Sequence, residues 1–163
     1  MTRRVLITGA TGGLGLAMVR EMAGRGHAVV ATGRSTAPSP TIEGMGARFV
    51  AVDLADPAAD LAALLHGCDS VIHAAALSAS WGPAPVFEAM NVGVTRRLLD
   101  AARAWGVSRF VFVSSPSIFA DFRHRLAIGE HDRPADPPLN YYARTKLAAE
   151  RMVLAADRPA FHC

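Results

Sequence analysis

The stretch Val5-Leu6-Ile7-Thr8-Gly9-Ala10-Thr11-Gly12-Gly13-Leu14-Gly15 limits what this chain can become more than any other. Its aliphatic, β-branched opening reads as a buried strand. It runs straight into glycines at 9, 12 and 15, and an amphipathic pattern follows. Small residues let backbone approach a diphosphate, and a helix start offers unpaired N–H groups at the positive end of its dipole. The spacing is G-x-x-G-x-x-G, one residue wider at its first step than the G-x-G-x-x-G fingerprint. An ordinary tight strand-to-helix connection has the same look. Its place at the first strand of an alternating chain points instead to a nucleotide cradle.

The alternation continues. A first helix is expected over about Gly13 to Arg25, with Leu14, Met18 and Met22 on one face and Gly26 as its stop. Ala28–Thr32 reads as strand two, and Ser35–Gly46 as a connection with at most a short helix. Phe49–Val52 reads as strand three. Asp56-Pro57 supplies an N-cap and a proline at the first helical position, ahead of a face made by Leu61, Leu64 and Leu65. Ser70–Ala74 is strand four. A helix over 86–105 carries Phe87, Met90, Val94, Leu98, Ala101 and Trp105, and Arg109–Val113 is strand five. After a polar loop, a helix over 141–156 places Ala148, Met152 and Ala155 on its apolar face. Such alternation predicts an α/β fold, a Rossmann-type doubly wound parallel sheet in strand order 3-2-1-4-5. The carboxyl ends of its strands, where ligands gather, are Gly9–Gly15, Gly33-Arg34, Asp53-Leu54, Ala74–Ala76 and Ser114-Ser115.

Composition narrows the function class. The chain has 163 residues, 51% hydrophobic and 19% charged, which is the balance of one globular domain. No apolar run approaches the roughly 18 residues that span a bilayer. The amino terminus enters the first strand without room for a signal peptide, so the cytoplasm is the expected location. The formal charge is +3, with arginines scattered rather than striped, and no nucleic-acid partner is expected. Two cysteines and six dispersed histidines match no metal spacing, so no metal is expected.

Tyr142 and Lys146 stand four apart on the last helix, which puts a phenol and an ammonium on one face. A neighbouring positive charge favours the ionised phenol and makes it a usable acid/base. The same pair also occurs on plain solvated helices. Tyr141 is off that face. His73, inside an apolar strand, reads as a satisfied core histidine, and Asn91 as a buried side chain that must pair with backbone.

Taken in order, Thr8-Gly9-x-x-Gly12-x-x-Gly15, Asp53-Leu54, His73-Ala74-Ala75-Ala76, Asn91-Val92-x-x-Thr95, Ser114-Ser115 and Tyr142-x-x-x-Lys146 carry a likeness. The chain resembles the short-chain dehydrogenase/reductase superfamily. Within it the likeness is to the extended branch, the NAD-dependent epimerase/dehydratase and 3β-hydroxysteroid-dehydrogenase-like proteins. The resemblance implies that Gly9, Gly12 and Gly15 bracket a diphosphate, with Thr8, Thr11, Gly13 and Leu14 beside them. It implies that Asp53 receives the adenine amino group next to the Leu54 backbone. Ala74, Ala75, Ala76 and Asn91 fall in the cofactor-binding set. Ser115 would hold the substrate oxygen, Tyr142 would move its proton, and Lys146 would hold the nicotinamide ribose and lower the phenol pKa. Ser114 is the competing serine.

Where NAD-preferring relatives carry an acid after strand two, this chain has Gly33-Arg34-Ser35, with no carboxylate from His27 to Ile42. An arginine there accommodates a 2′-phosphate, so NADP is expected, with NAD as the alternative. The implied reaction is hydride transfer between nicotinamide and a secondary alcohol or ketone. A sugar-nucleotide epimerase or dehydratase, and a non-catalytic dinucleotide-binding sensor or scaffold, are the alternatives. A small-molecule substrate is expected, with Ser78, Ser80, Trp81 and the Phe119–Arg125 loop as candidates to face it. Extended members continue for roughly as many residues again, so residues 1–163 read as the NAD(P)-binding domain without its substrate-binding region. Arg158–Cys163 reads as the approach to a sixth strand that is cut short. The resemblance also implies that helices 86–105 and 141–156 pair between subunits, so a homo-oligomer is expected.

Overall fold

Alternate residues of a strand face opposite sides, so Val5 and Ile7 must serve one layer and Leu6 another. The computed structural model, which describes residues 2–163, has that arrangement. Val5 and Ile7 lie in one core, with Val19, Val29, Ala31 and Ile42. Leu6 lies in a second, with Val30, Val71, Leu98, Phe110 and Val153. Between them runs a parallel sheet of β1 (Arg4–Thr8), β2 (Ala28–Gly33), β3 (Arg48–Ala51), β4 (Ser70–His73) and β5 (Arg109–Phe112), in the order β3-β2-β1-β4-β5. Thr8 pairs with Thr32 and with His73, Gly33 with Ala51, and His73 with Phe112, so the carboxyl ends form one edge. The doubly wound expectation holds.

Helices α1 (Gly13–Gly24) and α2 (Ser39–Gly44) cover the first face. The second face is covered by α3 (Leu61–Leu65), α5 (Val94–Ala104) and α6 (Tyr141–Leu154). A short α4 (Ala84–Phe87) leads through a π-helical segment, Glu88–Gly93, directly into α5. Beyond α6, Phe161 enters the second core, and His162 pairs in parallel with Arg109 through Phe110 N–H to His162 O at 2.8 Å.

Four local expectations need correction. The face of α1 turned to the sheet is Gly15 and Val19, whereas Leu14 is exposed; Met18 and Met22 only flank it. Gly15 must sit against the β1 turn, and that contact sets the rotation of the helix. The third helix is capped by Asp60, whose carboxylate accepts the Ala63 N–H, rather than by Asp56. Asp56 closes a tight turn instead, accepting from Ala58 N, so Pro57 never enters a helix. The stripe over 86–105 does not run straight through, because the π segment shifts its phase. Phe87, Val94 and Leu98 are buried as expected, but Leu99 and Ala102 join them, and Trp105 is half exposed. Finally, α6 buries Ala143, Leu147, Ala149 and Val153, leaving Ala148 and Ala155 exposed. The buried Lys146 and Thr145 pin the helix in that rotation.

Candidate functional site

The carboxyl edge of the sheet opens into a cleft of about 240 Å³. Gly9, Thr11 and Gly12 form its floor, Arg34, Asp53 and Leu54 one wall, and Ala74, Ala75 and Ala76 the other. These nine sequence-predicted residues meet in one place. Thr32, Gly33, Val52 and Met90 also line the cleft; Gly33 was expected at this edge, and the other three were not. Gly33 carried a readable signal at the end of β2, since a Cβ there would lie 2.6 Å from Thr11 Cγ2. Met90 had none, because its reach depends on the π turn.

The glycines divide by role. Gly9 adopts φ +68°, and a Cβ on it would lie 2.7 Å from Ala75 N. A Cβ on Gly15 would lie 2.1 Å from Gly9 O. Both are demanded by the fold itself. Gly12 is different: a Cβ there meets only Gly9 O at 3.5 Å, and at Gly13 it meets nothing within 4 Å. The bare backbone at Gly12 therefore faces the open cleft. No side chain caps α1, and its first turn-closing bond runs from Leu16 N–H to Gly12 O at 2.8 Å. An uncapped helix start behind a floor that a Cβ would fill suits an anionic diphosphate. Asp53 accepts the Ala55 N–H with Oδ1 at 2.9 Å, leaving its other oxygen as an acceptor at the wall. Arg34 stands exposed on the rim. This donor and acceptor set fits an adenine dinucleotide.

The remaining predicted residues lie outside the cleft. Gly13 and Leu14 are exposed at the start of α1. Thr8 is buried and joins a closed chain of hydrogen bonds. Ala75 N–H donates to Thr8 Oγ1, and Thr8 Oγ1 lies 2.7 Å from His73 Nδ1. His73 Nε2 lies 2.9 Å from Thr95 Oγ1, which donates to Asn91 O. Since Thr95 gives its hydrogen to a carbonyl, it must accept from His73 Nε2–H, so His73 Nδ1 accepts from Thr8. Every partner is satisfied with a neutral imidazole. Burial, with help from the Lys146 charge, holds the His73 pKa down to about 3. Asn91 accepts the Leu77 N–H at 2.7 Å and donates to Leu77 O and Thr145 Oγ1. Thus Thr8, His73, Thr95, Asn91 and Thr145 tie the glycine turn to α6.

On α6, Tyr142 is half-buried, while Tyr141 packs on Phe87 and under the Arg144 guanidinium. Lys146 is the chain's one lysine and is buried. Its Nζ donates to Val113 O at 2.5 Å and lies 3.9 Å from the Phe112 ring centre. Burial lowers its pKa to about 8, against a smaller opposing pull from Glu150. It thereby anchors the end of β5, two residues before Ser115. Ser115 begins the 3₁₀ turn Pro116–Phe119, with Oγ accepting from Ser117 N and 2.8 Å from Ser117 Oγ. Ser114 Oγ is buried without a partner among the described residues. A second groove, of about 730 Å³ and mostly apolar, lies between Trp81 and Leu139, with Asn140, Tyr141 and Arg144 along it. Among the described residues no cluster of His, Cys, Asp and Glu could hold a metal, and no helix is long and apolar enough to cross a membrane.

Comparison with known proteins agrees with this fold. The family model described as NAD dependent epimerase/dehydratase family matches residues 5–160. The chain is 37% identical over 156 residues to the 2-alkyl-3-oxoalkanoate reductase of Stenotrophomonas maltophilia, covering 94% of this chain and 46% of that protein. It is 37% identical over 167 residues to the 3 beta-hydroxysteroid dehydrogenase/Delta 5-->4-isomerase of Mycobacterium tuberculosis (strain ATCC 25618 / H37Rv), covering 94% and 43%. Among solved structures, MoeE5 in complex with UDP-glucose and NAD superposes with a TM-score of 0.83 at 35% identity, over 97% of this chain and 50% of that one. The chain therefore spans under half the length of these curated relatives.

Proposed function

Since the chain belongs to the NAD dependent epimerase/dehydratase family, we propose that residues 1–163 are the dinucleotide-binding part of a nicotinamide-dependent oxidoreductase acting on a secondary alcohol or ketone. The single observation that carries this is the bare Gly12 floor in front of the uncapped α1, walled by Asp53 and Arg34. When bound, the dinucleotide supplies hydride donor or acceptor chemistry at its nicotinamide ring. The chain's own residues do the rest. Gly9, Gly12 and the N–H groups at the start of α1 hold the diphosphate. Asp53 accepts from the adenine amino group. Arg34 pairs with a 2′-phosphate, giving a preference for NADP over NAD.

In this proposal Ser115 donates a hydrogen bond to the substrate oxygen, and Tyr142 gives or takes the proton on it. Lys146, one helical turn away, supports the nicotinamide ribose. The mostly apolar groove between Trp81 and Leu139, lined at one end by Tyr141, supports a lipophilic alcohol or ketone. A second reading, a sugar-nucleotide epimerase, is favoured by the likeness to MoeE5. Net consumption of NADPH with an added ketone separates the two.

The decisive experiment measures NADP and NAD affinities side by side. Tighter NADP binding by roughly tenfold, lost in Arg34→Gln, is expected for one charge-assisted contact. Absence of binding to either overturns the proposal. In a catalytically complete chain, Tyr142→Phe should abolish turnover and leave NADP affinity unchanged; normal turnover excludes its role.

A further inference from the structure

The wall that carries Asp53 and Leu54 begins where the sheet ladder ends. β3 ends at Ala51 and α3 begins only at Leu61. Between them, past a last ladder bond from Val52 N–H to Gly33 O at 3.0 Å, the backbone makes only single-turn bonds: Asp56 N–H to Asp53 O, Ala59 N–H to Asp56 O and Leu61 N–H to Ala59 O. A segment with so few ladder bonds opens readily unless something outside it fixes its shape. Leu54 anchors one point of it in the core, and one side chain holds the backbone beyond. From α5, the Arg97 guanidinium donates to three carbonyls of this segment: Leu54 O at 3.2 Å, Asp56 O at 2.9 Å and Pro57 O at 3.1 Å. Arg97 is half-buried and forms no ion pair among the described residues, so its donors are committed to the loop. A planar fork reaches carbonyls spread along the loop from two separate nitrogens, whereas an ammonium offers its three donors from a single point.

We propose that Arg97 is a positioning residue for base recognition: by clamping the carbonyls at 54, 56 and 57 it fixes the Asp53 carboxylate where an adenine amino group reaches it. This rests on the dinucleotide-binding reading above, in which Asp53 takes that amino group. The chemistry makes a specific demand. A carboxylate is an acceptor only, so it welcomes the adenine amino group and repels a carbonyl at the same ring position. The chain should therefore distinguish NAD from nicotinamide hypoxanthine dinucleotide, whose base carries a carbonyl there. The distinction should depend on Arg97 although Arg97 touches neither base.

The test measures both affinities for the 163-residue chain and for Arg97→Met and Arg97→Lys, with thermal melting recorded for each. The wild type should prefer NAD by roughly tenfold, the value of one charged hydrogen bond. In R97M the preference should fall towards one as both ligands weaken, and R97K should lie between. If R97M does not fold, R97K carries the test. A folded variant that melts earlier but keeps the wild-type ratio shows a merely structural clamp and overturns the inference alone. A wild type that binds neither dinucleotide, or binds both equally, overturns the reading of Asp53 and the inference with it.

Discussion

At the scale of single residues, two glycines three positions apart answer to different masters. Gly15 leaves no space, since its added Cβ would lie 2.1 Å from the Gly9 carbonyl oxygen. Gly15→Ala should cost about 3 kcal/mol or more in denaturant melts, the upper range for forced overpacking. Gly12→Ala should melt within about 1 kcal/mol of wild type yet lose measurable dinucleotide affinity, because its methyl group enters the cleft. Equal loss of stability in both variants would refute the division. Lys146 gives a second prediction. Its pKa of about 8 lies below the ordinary 10.5, so the unfolded chain holds the proton more tightly between those values. Stability contributed by this group should therefore rise with pH from about 8 to about 10.5, and a ¹⁵N resonance of the single lysine should titrate near 8. The glycines were legible in the sequence, because a strand-to-helix turn with so little room names glycine by type. Arg97 was not legible. Its partners are backbone carbonyls some forty positions away, and nothing about an arginine on a helix names them.

Elements show where pattern reading reaches its limit. The existence and order of strands and helices followed from alternation, but helix rotation did not. The buried face of α6 was misread because Lys146 and Thr145, polar by type, turn inward to Val113 O and Asn91. The phase of α5 was misread because a π turn at 88–93 has no counterpart in the spacing of apolar residues. The start of α3 makes a direct contrast between two aspartates. Asp60→Ala removes a cap that accepts Ala63 N–H at 2.9 Å and should cost about 1 kcal/mol. Asp56→Ala removes only an exposed turn contact and should stay within about 0.5 kcal/mol by chemical denaturation. The reverse ranking would return the cap to Asp56.

At the scale of the whole molecule, the doubly wound order left apolar surface on α4, at the end of α5 and on α6. Val86, Trp105, Tyr141 and Leu154 are each more than two-fifths exposed. We propose that these helices pair between two copies of the chain. Light scattering at high concentration should give the mass of a dimer, and Leu154→Glu should shift it towards the monomer. A strictly monomeric wild type would overturn the pairing. The sheet order, by contrast, needed no such test to be anticipated: a parallel sheet fed by helical crossovers has few unstrained arrangements. What sequence could not place was the depth of each polar group, and one case of depth has a practical outcome. With its only internal amine closed off in the folded state, the chain resists lysine-specific proteolysis and acylating reagents until it opens. The second equivalent of label taken up per molecule then counts the fraction that has unfolded.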